Sequence, residues 1–265
     1  MGGRIRYFVS GGAPLNIEVK HFLVVVFSAP IFEAYGQTET AGIISATQIW
    51  DREGGHVGGV LPCNRMQLRD VPSLGLSTDA ECPKGELYLK GNSVFKGYFK
   101  NPEITKLVLG EDGWLRLGDA GILNRNGSIS IIERIGEMKK LQNGYFIAPQ
   151  KLENIYQTVP IINQIYVDVN STYNFVIAIV HLDTEKLLQF AEVNGLEKDV
   201  KKLITMQEVE YAVLKQCERA AECKKLDSHE HIVSLYITSE EFSILNKMLT
   251  KTHKLKRTEI KNHYN

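Results

Sequence analysis

Tyr35-Gly36-Gln37-Thr38-Glu39-Thr40 is the stretch on which the reading of this sequence turns. Its tyrosine ends a predicted strand, 31–35, and its remaining residues, 36–40, form a polar loop. Its residue types suit a nucleotide triphosphate. Thr38 and Thr40 offer hydroxyl donors to phosphate oxygens, Glu39 offers a hard oxygen ligand for Mg²⁺, and Tyr35 offers a ring for stacking. A string of this kind also serves as a polar turn closing a strand, so the six residues alone leave both readings open.

Working outward, the segment Ser10-Gly11-Gly12-Ala13-Pro14 lies upstream, after a predicted strand at 5–9 and before a predicted helix at 14–27. Small residues there let backbone approach a flat ligand closely, or simply make a tight strand-to-helix turn. Downstream, 113–119 (GWLRLGD) ends on Asp119 and a predicted hairpin ends on Arg134. Asp119 is able to accept both hydroxyls of a ribose and Arg134 to donate to the same sugar; a lone Gly-Asp turn is equally a structural device.

Between 58 and 123 the chain breaks into short predicted strands (66–68, 85–90, 121–124, 128–133) separated by Gly, Pro, Asn and Asp, the last pair turning at Asn126-Gly127. After Arg134 the texture changes. A helix at 148–157 begins with Pro149, two strands at 161–170 and 173–181 meet at Asn170-Ser171, helices follow at 184–194 and 206–225, and a strand at 231–237 precedes a basic tail. The expected boundary divides 1–134 from 135–265. Lys256 and Arg257 read as a solvated part of that tail.

Composition excludes little and excludes it clearly. Lys plus Arg and Asp plus Glu each number 31, so net charge gives no general reason to bind nucleic acid. The longest apolar run, 22–27 (FLVVVF), is far short of the ~18 residues of a membrane span and reads as core. The opening MGGRIRYFVSGG has neither the long apolar region nor the cleavage site of a signal peptide. Cys63, Cys82, Cys217 and Cys223 form no CxxC pair and have no zinc-finger spacing, so free, buried thiols in a reducing compartment are expected. His229 and His231 have no further ligand set near them and are not read as a metal site.

Taken together, the ordered segments resemble the adenylate-forming superfamily of acyl-CoA synthetases, luciferases and peptide-synthetase adenylation domains, and most of all its long-chain acyl-CoA synthetases. The residues carrying the resemblance are 10–15 (SGGAPL), 35–40 (YGQTET), His56-Val57-Gly58 with Pro62-Cys63, 91–98 (GNSVFKGY), 112–114 (DGW), Gly118-Asp119, Arg134, 147–149 (IAP) with Lys151 and Glu153, and 249–257 (LTKTHKLKR).

The resemblance implies an α/β and α+β architecture. Residues 1–134 would be the C-terminal portion of the large nucleotide-binding domain, with its β-rich subdomain, and 135–265 a small α+β lid. It implies a long-chain fatty acid–CoA ligase using ATP, Mg²⁺ and coenzyme A. Thr38 and Thr40 would bind phosphate and Glu39 the Mg²⁺. Tyr35, Gly36 and the backbone of Gly11, Gly12 and Ala13 would frame the adenine, and Asp119 and Arg134 the ribose. Gly136 would stand at the hinge, and Lys254 would bridge the acyl carboxylate and the α-phosphate. By the same analogy the enzyme would be cytoplasmic, facing the endoplasmic reticulum or mitochondrial outer membrane and held there by a segment upstream of residue 1.

Several positions depart from the family pattern. Leu117 replaces a threonine before Gly-Asp, Gly136 an Asp or Lys, 143–146 (NGYF) a QGEY loop, and Lys247 and Lys251 the glycine and proline before the catalytic lysine. The family's phosphate loop (SGTTG, then PKG) and most of its fatty-acid tunnel have no counterpart here. That favours one rival expectation, a catalytically inactive nucleotide- or acyl-binding remnant, and predicts no turnover by this chain alone; the second rival is an interaction module whose exposed half-core docks on a partner.

Overall fold

The computed structural model describes residues 2–51, 53–169 and 174–264. The chain divides into two compact units, Met1–Glu137 and Met138–Asn265.

The first unit opens with β1 (Phe8–Gly11), α1 (Ile17–Phe27) and β2 (Ile31–Gln37), with β1 and β2 parallel. Asn16 starts α1: its side-chain oxygen accepts from the Glu18 N–H at 2.8 Å. β2 reverses through a 3-10 turn, Thr38–Thr40, into β3 (Gly42–Ala46), which pairs in turn with β4 (Gly59–Val60). A Cβ on Gly36 would collide with the Gly42 carbonyl oxygen, so this reversal closes only with glycine there.

One expectation is overturned in α1. The run FLVVVF is not core: Phe22, Val25 and Val26 are exposed, Val25 by 76%. The one buried residue of the helix is Lys20, whose ammonium lies 2.9 Å from the Glu33 carboxylate on β2 and 3.1 Å from the Glu53 carbonyl. The helix is thus joined to the sheet through a buried ion pair, and its apolar side faces outward.

The rest of the unit is an antiparallel meander of β5 (Asn64–Arg69), β6 (Lys84–Gly91), β7 (Leu115–Leu123) and β8 (Ile129–Arg134), with α2 (Pro102–Val108) in the β6–β7 connection. Leu87, Leu89, Leu115, Leu117 and Ile129 form its core with Ile44 of β3. The β7–β8 hairpin turns at Asn126-Gly127 as expected, the Gly127 N–H donating to the Asn124 carbonyl at 2.9 Å. The β6–β7 register breaks between Glu86↔Ala120 and Tyr88↔Arg116, so Leu87 faces three residues of β7. Gly118 sits in this bulge with φ 72°, a left-handed conformation that suits glycine, and the bulge re-aims the residue that follows it, Asp119.

The second unit begins with a short hairpin, β9 (Lys139–Lys140) and β10 (Phe146–Ile147), and α3 (Pro149–Tyr156). β11 (Ile162–Val169) and β12 (Val176–Leu182) are antiparallel; the expected joint at Asn170-Ser171 and strand start at Tyr173 lie outside the described residues. α4 (Thr184–Val193), α5 (Val200–Leu203) and α6 (Gln207–Cys223) supply the crossover that a parallel neighbour requires, and β13 (Ile232–Thr238) then pairs parallel with β12. Alternation along the strands covers both faces. Val167 and Val180 join Leu152, Tyr156 and Val213 in the main core, while Tyr166 and Ile179 pack with Phe242, Met248, Leu249 and Ile260 on the other side.

The tail is not wholly a solvated basic segment. It ends in α7 (Arg257–Tyr264), and Arg257 grips Glu153 of α3 through two bonds, Nη1–Oε1 at 2.9 Å and Nη2–Oε2 at 2.6 Å. Glu153 Oε1 also accepts from the Val167 N–H at 2.9 Å. A bidentate, largely buried pair of this kind fixes both partners, which is why the expectation of solvation fails for Arg257.

Two outcomes follow from packing. The expectation of buried thiols holds for Cys217 alone, on the inner face of α6, where burial pushes the thiol up to about 12; Cys63, Cys82 and Cys223 are exposed. A thiol reagent at neutral pH should therefore titrate three groups quickly and the fourth only after denaturant; four fast thiols would contradict this packing. Lys247 has φ 65°. Left-handed backbone costs a side-chain-bearing residue roughly 1–2 kcal/mol, and glycine gives back part of that as unfolded-state entropy. Lys247→Gly should raise the stability of the second unit by roughly 0.5–1 kcal/mol in urea unfolding; no change or a loss would refute the strain.

Candidate active site

The first unit gathers its polar groups around one carboxylate. Asp119 is buried and pairs in register with Arg134 across β7 and β8. Three donors from two sheets meet it. The Tyr35 hydroxyl donates to Oδ2, Gln37 Nε2 donates to the same oxygen at 2.7 Å, and Arg134 Nε lies 3.2 Å from Oδ1. Gln37 Nε2 also reaches the Leu117 carbonyl oxygen at 2.8 Å. Burial, and then Asp119 itself, push the Tyr35 phenol far above its ordinary value, so Tyr35 remains a donor across the accessible pH range. The Arg134 side chain is about half exposed, with a face toward solvent beside the pair.

Tyr35, Asp119 and Arg134, predicted separately, are thus one cluster. Gln37, which joins them, was not singled out by the sequence reading. The signal was present: Gln37 is two residues from Tyr35 on β2 and so shares its face. Leu117 places its side chain in the core and offers only its carbonyl.

The turn itself divides its labour. Thr38 is exposed and Glu39 half-buried. Glu39 Oε1 accepts from the Tyr98 hydroxyl at 2.7 Å, and the Glu39 carbonyl accepts from the Phe95 N–H at 2.8 Å, which ties the turn to 91–98. The hydrogen bond to Glu39 raises the Tyr98 phenol above its ordinary value. Thr40 is buried, and its hydroxyl is used within the turn: it accepts from the Gln37 N–H at 3.0 Å and has the Gln37 and Gly42 carbonyl oxygens at 2.9 Å. Gly11 pairs with Ala34, one residue before Tyr35, so Gly11, Gly12 and Ala13 stand exposed at the carboxyl end of the parallel pair. Gly136 lies in a turn closed by the Glu137 N–H on the Arg134 carbonyl at 3.0 Å, and a Cβ there would meet nothing.

Lys254 belongs to the second unit. It sits near the tip of a loop closed by the Leu249↔Leu255 bridge, and the Thr250 hydroxyl oxygen accepts from the Lys254 N–H at 3.0 Å. Its side chain is exposed, and among the described residues no partner engages its ammonium. His229 stacks on Tyr145, with centroids 4.0 Å apart.

Comparison with known proteins points to one family. Residues 1–99 match the model for AMP-binding enzymes. The whole chain is similar to long-chain-fatty-acid–CoA ligase 5 of Rattus norvegicus, 39% identical over 261 residues that make up 98% of this chain and 38% of that protein. Together these likenesses support a place in the long-chain acyl-CoA synthetase branch of the AMP-binding enzymes. Fatty acyl-CoA synthetase A of Dictyostelium discoideum is 36% identical over an alignment of 268 positions, which covers the whole of this chain and 40% of that protein. The chain thus spans about two fifths of the length of the curated relatives it matches. Among solved structures, the adenylation domain of a Mycobacterium chelonae carboxylate reductase superposes with a TM-score of 0.84 at 29% identity, covering 99% of this chain and 38% of that one. The corresponding Segniliparus rugosus domain, solved with AMP and a co-purified carboxylic acid, gives the same TM-score, identity and coverage. The mixed α/β fold expected from the sequence is the fold of these AMP-binding neighbours.

The geometry makes Gln37 a positioning residue for Asp119. A hydrogen bond to a charged group contributes about 1.5–3 kcal/mol. Gln37→Leu and Asp119→Asn should each destabilise the chain by about that much, and the double variant should lose less than the sum by more than ~1 kcal/mol. Strict additivity in urea unfolding would show that the two side chains do not interact.

Proposed function

We propose that this chain is the nucleotide-handling part of an ATP-dependent long-chain fatty acid–CoA ligase, consuming ATP, a long-chain fatty acid and coenzyme A and giving acyl-CoA, AMP and pyrophosphate. The observation that carries this reading is the convergence of Tyr35, Gln37 and Arg134 on Asp119, which joins the end of β2 to the β7–β8 hairpin far downstream in sequence.

In this proposal Tyr35 stacks on the adenine, and the backbone of Gly11, Gly12 and Ala13 lies along its edge. Asp119 accepts from the ribose hydroxyls, and Arg134 turns its exposed nitrogens to the same sugar. Thr38 and Glu39 face the phosphates, while Thr40 and Gly36 shape the turn that presents them. Glu39 suits Mg²⁺: it is a hard anionic oxygen donor, half-buried, with Tyr98 on only one of its oxygens among the described residues. No cluster of three or more His, Cys, Asp or Glu occurs among the described residues, so the protein supplies one carboxylate and the phosphates and water the rest, as is usual for Mg²⁺. When bound, Mg²⁺ would offset charge developing on the phosphates.

The reaction has two displacements. The fatty-acid carboxylate oxygen forms a bond to the α-phosphorus as the bond to pyrophosphate breaks. The coenzyme A sulfur, as thiolate, then bonds to the acyl carbon as AMP leaves. The first step brings two anions together, and Lys254 supplies the cation that bridges them. Gly136, beside the division between the units, permits the lid to turn between steps.

A graft tests the role of Lys254. Residues 1–265 would replace the matching 261 residues of the rat relative. In the graft Lys254→Ala should slow adenylation by about 10²–10³ and spare thioester formation from preformed acyl-adenylate. Equal losses in both half-reactions would refute the assignment.

A further inference from the structure

We propose that the hairpin 247–256, together with Ile244 and Leu245, is a docking surface for an anionic lipid bilayer. The proposal does not rest on the catalytic reading of Lys254. It starts from a local imbalance. The chain as a whole carries equal numbers of acidic and basic residues, yet 242–258 contains Lys247, Lys251, Lys254, Lys256 and Arg257 and no Asp or Glu. Lys247 and Lys251 stand where the family pattern has glycine and proline.

The fold presents these cations together. The Leu249↔Leu255 bridge, the Thr250 N–H on the Lys254 carbonyl at 2.8 Å and the Lys256 N–H on the Met248 carbonyl at 2.8 Å make an antiparallel hairpin. Lys251, His253 and Lys254 lie at its exposed tip and Lys247 at its exposed base. Arg257 is taken by Glu153 and does not contribute. The preceding turn, held by Asn246 Oδ1 accepting from the Ser243 N–H at 2.9 Å, leaves Leu245 94% exposed and Ile244 43% exposed. These two are not the edge of a loose segment, because Phe242, Met248 and Leu249 on either side are buried.

The surrounding acids do not cancel the charge. Glu240 is engaged by Asn246 at 2.9 Å and by His263 at 3.1 Å, and Asp168 faces Lys261 at 3.5 Å. Glu241 and Glu259 flank the hairpin in sequence, but none lies within it. Exposed lysines beside an outward leucine and isoleucine form an interfacial pattern: the cations meet anionic headgroups and the apolar pair enters the acyl boundary. A nucleic acid would use the cations and leave Leu245 without a role, which favours the bilayer.

Co-sedimentation of the 265-residue chain with vesicles tests the proposal. The chain should bind phosphatidylcholine vesicles containing about one third phosphatidylserine, bind pure phosphatidylcholine weakly, and lose binding as salt rises. Removing one lysine should lower partitioning by about fivefold. Lys247→Glu combined with Lys251→Glu should therefore cost well over tenfold while leaving the melting temperature unchanged, since both side chains are exposed. Leu245→Ser should weaken binding and keep its salt dependence. Equal binding to pure phosphatidylcholine, insensitivity to the hairpin variants, or loss on Phe22→Ser in α1 instead would overturn the proposal. So would salt-sensitive binding of single-stranded RNA with none to anionic vesicles.

Discussion

A buried carboxylate is costly unless donors meet it, and in this protein the donors that meet Asp119 determine how the first unit is built. Tyr35 and Gln37 come from the sheet that contains the parallel pair, and Arg134 from the last strand of the meander. Neither sheet can shift by a residue without leaving the anion short of a partner. The bulge at Gly118 and the tight reversal at Gly36 are the backbone conditions for that meeting. One re-aims β7 just before Asp119, and the other lets β2 turn immediately after placing Tyr35 and Gln37. The Thr38-Glu39-Thr40 turn lies at the end of the strand that carries two of the three donors, so the turn and those donors share one support.

The second unit uses the same kind of constraint. Glu153 is satisfied by Arg257 and by the Val167 N–H, so a single carboxylate joins α3, β11 and the start of α7. This join stands three residues beyond Lys254. An exposed lysine on a hairpin would otherwise have no fixed origin. Leu249, Met248 and Ile260 pack beneath it and Arg257 is clamped behind, which anchors the hairpin that carries Lys254.

Much of this was legible in the sequence, and the failures have physical causes. The Asn126-Gly127 hairpin, most strands and the main helices of the second unit are local patterns, and their positions agree with the structure to within a few residues; the expected strand 121–124 is only the end of β7, and β3 and α2, set among glycines and polar residues, were not read. Asp119 and Arg134 were readable because their motifs are ordered. Gln37 was not, because its importance comes from a partner more than eighty residues away. The apolar run of α1 looked like core because hydrophobicity carries no information about which side faces the sheet; the buried ion pair of Lys20 and Glu33 decides that. Arg257 looked solvated because a basic tail gives no sign of the acid waiting for it on α3. Thr40 was legible as part of the loop, but not that its hydroxyl closes the turn.

The central claim is that the Asp119 junction is shaped for a ribose. The most direct measurement compares binding of AMP with that of its 2′,3′-dideoxy analogue, for the chain as it stands and for Asp119→Ala. Hydrogen bonds to a charged group of about 1.5–3 kcal/mol correspond to a preference for AMP of roughly tenfold or more. The account predicts that preference in the parent chain and its disappearance in the variant. Equal affinity for the two nucleotides in the parent chain, or a preference that survives the loss of Asp119, would contradict it.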